Sequence, residues 1–233
     1  MTRLRTTFWF RQKLVGEAIV EGLHSASSAL KLDVNFLVKG KSRPNSLNVW
    51  KEIFNSFKDY QYTGEAKWIM DGELGQLKGK IYWPILNPGN LPGTVEFDFS
   101  WDEEKKPKKK NIKSYVFDDL DLLMDFLHKF AASVSADSVR VEPLRLPPDL
   151  IDSRYERFIK SNGSKTMSSV DWIFGIKSSD QQKNDFIEIS DLIHKKVETG
   201  GFILYALTPN PLNYKSEEDV KFLELIERKI GLL

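Results

Sequence analysis

Two stretches of the chain carry the residue types of a metal-dependent phosphodiesterase centre. Asp59 is followed by Glu65-Ala66-Lys67, and Asp98 by Glu103-Glu104-Lys105. In nucleases of the restriction-endonuclease type, two carboxylates hold Mg²⁺ and a lysine stabilises the attacking water or the developing charge. The second match runs into a lysine-rich loop rather than along a strand. With 34 basic and 33 acidic residues in the chain, such triplets also arise by chance. Glu65 and Lys67 are therefore the residues on which an enzymatic reading would rest.

Other catalytic patterns are missing. The histidines, His24, His128 and His194, lie far apart. None has a second histidine at i+3 or i+4, so helix-borne zinc motifs do not occur. All three are expected in helices, at the surface or at helix ends. There is no Gly-x-Ser-x-Gly elbow and no Walker A loop. Gly72, Gly75 and Gly79 fall on an expected hairpin, where they serve turn and twist rather than phosphate binding. The chain has no cysteine, so thiolate chemistry and disulfides are excluded. No metal or cofactor is expected.

Charge clustering offers a binding chemistry instead. Asp102, Glu103 and Glu104 precede the lysine run Lys105 to Lys113, and Asp118, Asp119, Asp121 and Asp125 follow it. An acidic ridge made of Asp102, Glu103, Glu104, Asp118 and Asp119 has the chemistry to occupy a basic cleft and to accelerate encounter by electrostatic steering. Helix capping and dipole complementarity account well for Asp118, Asp119 and Asp121 and are the simpler reading. The lysines could contact phosphates, but they read more simply as a solvated loop.

Composition bounds these readings. The 233 residues are 41% hydrophobic and 29% charged, with a net charge of +1. That is ordinary for globular protein and lacks the basic excess of a dedicated nucleic-acid binder. Near the N-terminus only Phe8-Trp9-Phe10 is continuously apolar before Arg11 and Lys13, whereas a secretory signal needs about 7–15 apolar residues and a membrane span about 20. Cytoplasmic residence without membrane contact is the expectation.

The elements that must position these groups follow from periodicity. Phe8-Trp9-Phe10 predicts a strand, and Val15 to Leu30 an amphipathic helix. Lys39 to Asn45 reads as a basic loop, after which Ser46 caps a helix that turns Leu47, Trp50, Phe54 and Phe57 to one side. Ala66–Met70 and Gln76–Trp83 predict strands, with a turn at Asp71-Gly72. Val95, Phe97, Phe99 and Trp101 alternate as a half-buried antiparallel strand requires. Asp118 caps the next helix, and a strand runs from Ser138 to Leu144. The closing quarter predicts a strand at Asp171–Ile176, a helix along Phe186, Ile189, Ile193 and Val197, a strand from Thr199 to Leu207, and a last helix capped by Ser216. Trp50, Trp101 and Trp172 are expected in the core. The result is one α+β domain over residues 1–233, helices packed on a largely antiparallel sheet, with an internal boundary near 145–165 as the alternative.

This order of elements resembles the immunity protein 52 family of bacterial polymorphic-toxin systems. The likeness rests on Phe8-Trp9-Phe10 and the helix after it, on Phe36 with Lys39-Gly40-Lys41-Ser42-Arg43-Pro44-Asn45-Ser46-Leu47, on the β-rich middle, and on Asp171-Trp172-Ile173, Gly200-Gly201 and the final helix. The chain departs from the family at Ser46, where alanine is frequent, and at Phe174-Gly175, where Tyr-Leu is frequent. The resemblance implies a non-catalytic inhibitor that binds a cognate toxin in a stoichiometric complex. It implies a restriction-endonuclease-like DNase, delivered by a type VI secretion system, as that toxin. It supplies no toxin-binding motif. A Mg²⁺-dependent nuclease and a non-inhibitory effector adaptor or chaperone are the alternatives.

Overall fold

The alternation of Val95, Phe97, Phe99 and Trp101 becomes the buried face of a strand in the middle of a long sheet. The computed structural model describes residues 2–10, 16–38, 41–44, 46–49, 52, 63–72, 75–84, 93–102, 115–151, 169–183 and 186–233. Its strands are β1 (Thr2–Phe10), β2 (Asp33–Val38), β3 (Lys41–Pro44), β4 (Thr63–Gly72), β5 (Gly75–Pro84), β6 (Gly93–Trp101), β7 (Val116–Phe117), β8 (Ser138–Pro143), β9 (Ile173–Lys177), β10 (Lys195–Thr199) and β11 (Phe202–Ala206). The helices α1 (Gly16–Leu30), α2 (Leu120–Ser133) and α3 (Glu217–Lys229) accompany them.

Among the described residues the strands follow the order β10-β11-β9-β8-β1-β6-β5-β4-β2-β3. Every pairing on this path is antiparallel; only the short β7 joins β6 in parallel. The fold is α+β, as the periodicities require. β8 and β9, on either side of residues 145–165, are hydrogen-bonded neighbours.

The two faces of β1 and β6 differ in chemistry. Leu4, Thr6, Phe8 and Phe10 on β1 and Val95, Phe97, Phe99 and Trp101 on β6 are all buried. Phe126 and Phe130 of α2 pack on this face, with α1 beside that helix. Phe97 is the hub: Phe8, Phe126 and Phe130 meet its ring edge-on at 5.9, 5.4 and 5.0 Å. Each such pair adds roughly 0.5–1.5 kcal/mol beyond area burial. The opposite face carries Arg5, Glu96 and Asp98.

The closing quarter differs from expectation. The helix expected along Phe186 to Val197 is a 3-10 segment, Phe186–Leu192, followed by strand β10. Lys195 to Thr199 supplies one arm of a hairpin with β11, and Gly200-Gly201 is its two-residue turn. Both glycines have positive φ, +60° and +76°, the backbone that a primed hairpin turn needs. The apolar spacing at Ile193 and Val197 fits helix and strand about equally, so tertiary pairing decides. In β9, a Cβ on Gly175 would lie 2.7 Å from Ile203 O, Leu204 Cδ2 and Phe202 Cε1. That close approach to β11 leaves no room for a side chain at position 175.

Further expectations shift. Lys41–Pro44 is strand β3 rather than loop. Asp71 and Gly72 are paired with Gln76 and Gly75, so the β4–β5 turn lies one step beyond them. Ser46 Oγ accepts from Val49 N at 3.4 Å, and Leu47, on the expected apolar side, is 40% exposed; Trp50, Phe54 and Phe57 lie outside the described residues. Trp101 and Trp172 are core residues, as expected. His128 is buried on α2, and His194 sits at a bend outside any helix.

Candidate functional site

Parallel pairing of β6 with β7 gathers the acidic residues. Ser100 pairs with Val116 and Trp101 with Phe117, and Asp102 N donates to Phe117 O at 2.9 Å. Asp102 and Asp118 therefore leave adjacent strands side by side, about 4.8 Å apart along the backbone. The frame beneath is well packed: Trp101, Tyr115, Val116 and Phe117 are all buried. Burial, with the charge of Asp118 second, pushes the Tyr115 phenol above its ordinary pKa.

Asp119, not Asp118, is the N-cap of α2. Its carboxylate accepts from Asp121 N at 2.8 Å and Leu122 N at 3.2 Å. The one-residue shift follows from β7, which holds Phe117 extended. Asp121 is ion-paired with Lys195 of β10, and Asp125 with Lys129 one turn on at 2.7 Å. The acidic corner thus consists of Asp102, Asp118 and the capping Asp119. Glu103 and Glu104 lie outside the described residues.

Residues 102–121 hold six acidic side chains and six lysines. Their field at a distance is that of a local dipole, which falls off faster than that of a net charge. Steering by this corner is accordingly a short-range effect on top of salt screening.

Only part of the nuclease pattern falls within the described residues. Asp59, Glu103, Glu104 and Lys105 lie outside the described residues. Glu65 and Lys67 occupy β4 at register positions opposite Tyr82 and Lys80. Asp98 is held by Arg5, whose Nε donates to Oδ1 at 2.8 Å; that bond is the main cause of the raised Arg5 pKa. Asp98 pairs through Lys78 with Ile69, four residues beyond Glu65. Two strand spacings and four residues put their backbones roughly 16 Å apart, too far to share one cation. Among the described residues no group of three or more metal-ligating side chains occurs.

A buried polar assembly escaped the sequence reading. On the face opposite α2, Arg140 lies 3.0 Å from Asp171 and 3.2 Å from Glu142, and its guanidinium sits 4.8 Å from the Trp9 ring centroid. Asp171 also accepts the Tyr214 hydroxyl, and Arg140 donates to Ser169 Oγ. The available signal was Asp171 beside the core residue Trp172, since a carboxylate there must find partners.

Among the described residues no helix is long and apolar enough to cross a membrane. Comparison with protein-family models and with curated proteins finds no match in either.

Proposed function

We propose that the chain is an immunity protein, which binds and neutralises a cognate toxin by stoichiometric complex formation. The observation that carries this reading is the juxtaposition of Asp102 with Asp118 and Asp119 on the buried β6–β7 frame. An anionic corner of this kind complements the basic cleft of a protein that acts on nucleic acid, and a restriction-endonuclease-like DNase, the toxin the resemblance implies, is such a protein. The resemblance to immunity protein 52 supports the same partner. A stable complex of this type buries on the order of 1,200–2,000 Å², so the acidic corner would form only part of the contact. Cytoplasmic residence belongs to the same proposal.

Co-expression with the toxin encoded beside it tests the reading. The expected result is a co-purifying complex, loss of toxin activity in that complex, and rescue of growth. A complex that retains full toxin activity would make the chain an adaptor, and absence of any complex or rescue would remove the partner altogether.

A further inference from the structure

A second site lies at the end of the sheet where β1 begins and β8 and β11 finish. There the loop after β11 faces the turn after β8 across an open cleft of about 860 Å³. Its walls include Pro147, Leu212, Asn210, Asn213, Arg145 and Lys215. The volume is within the range of roughly 300–1,000 Å³ typical of small-molecule sites.

The loop is anchored by donors that fix its orientation. The buried indoles of Trp101 and Trp172 meet at 4.8 Å and 73°. Trp101 Nε1 donates to Asn210 Oδ1 at 3.3 Å, and Trp172 Nε1 to Thr208 O at 2.8 Å. Lower in the loop, Lys215 N donates to Asn213 Oδ1 at 3.1 Å, Asn213 N to Asp219 Oδ2 at 2.6 Å, and the Tyr214 hydroxyl to Asp171.

These bonds decide the polarity of the cleft. An indole N–H and a backbone N–H only donate, so they take the amide oxygens of Asn210 and Asn213. The donor ends of both amides remain for another partner. Arg145 and Lys215 are exposed and add cationic donors, and among the described residues neither is in an ion pair. The cleft therefore combines amide and cationic donors with proline and leucine walls.

We propose that this cleft binds a small organic anion, a carboxylate or phosphate joined to a flat apolar body. Arg145, Lys215 and the two asparagine amides would hold the oxyanion, while Pro147 and Leu212 would cover the body. The site is separate from the acidic corner and does not depend on the immunity reading.

Titration of the full chain with phenyl phosphate, benzoate and the neutral benzyl alcohol tests it, read by the Trp101 indole N–H in ¹H–¹⁵N spectra. At least one of the two anions is expected to give a saturable shift that benzyl alcohol does not. Replacing both cations (Arg145→Gln with Lys215→Gln) should weaken binding about ten-fold or more, because charge-assisted bonds are lost. Both side chains are exposed, so an unchanged unfolding midpoint shows that the variant is folded. No saturable shift with either anion up to about 10 mM, equal affinity in the double variant, or equal binding of the alcohol overturns the proposal.

Discussion

Arg140 Nε and Asp171 Oδ2 stand 3.0 Å apart, and the Asp171 side chain is fully buried. The pair lacks hydrogen-bond alignment at these two atoms, so its attraction is Coulombic. The other carboxylate oxygen accepts the Tyr214 hydroxyl, which ties β8, β9 and the loop before α3 together. Removing the cation alone would leave a buried carboxylate short of its counter-charge. Arg140→Met is expected to cost about 3–5 kcal/mol, and Asp171→Asn in that background to return part of the loss. Urea denaturation of the two variants checks both signs.

α2 and α3 end in the same hydrogen-bond pattern with different residues at the turn. After α2, Ala136 N donates to Ala131 O at 2.9 Å; after α3, Leu232 N donates to Glu227 O at 2.8 Å. The left-handed residue is Gly231 at φ +72° in α3, but Ser135 at φ +52° in α2. Ser135 is exposed, so its side chain contributes little packing. Ser135→Gly is expected to stabilise the protein by roughly 0.5–1 kcal/mol, by relieving the Cβ in that conformation. An unchanged or lower thermal midpoint would contradict this.

These examples show which parts of the molecule the sequence exposes. Val95, Phe97, Phe99 and Trp101 are legible because strand alternation is local, and Ser216 is legible because a cap acts within one turn. β10 is not legible, since Val197 faces its partner Leu204 only after Gly200-Gly201 reverses the chain. The acidic corner was half visible: Asp102 and Asp118 stood out by type, but their adjacency depends on a two-residue parallel strand with no periodicity to detect. The cleft leaves no motif, because Asn210 is oriented by Trp101, which is distant in sequence.

Alkaline pH should unfold the protein partly through Tyr205. Burial, then the nearby charge of Glu198, pushes its phenol up to about 12 from an ordinary value near 10. The folded state therefore keeps a proton that the unfolded chain loses. The associated stability is complete below about pH 10 and disappears as pH rises through about 12, amounting to roughly 2–3 kcal/mol. Tyr205→Phe keeps the ring stacked on Phe174 and removes the ionisation. Its unfolding free energy should fall less between pH 10 and 12 than that of the parent, and identical slopes would exclude Tyr205 as the cause.

Capping and recognition can be separated at the acidic corner. Asparagine caps as well as aspartate, so Asp119→Asn should leave stability nearly unchanged, whereas Asp119→Ala should cost about 1 kcal/mol. Asp102 and Asp118 are not the cap. Asp102→Lys with Asp118→Lys should therefore slow association with the toxin and reduce its salt dependence without removing the cap. The dipolar charge of residues 102–121 limits the rate effect to about ten-fold at low ionic strength. Stopped-flow association at two salt concentrations measures it. Unaltered rates in the double variant would confine these aspartates to local structure and place the binding face elsewhere.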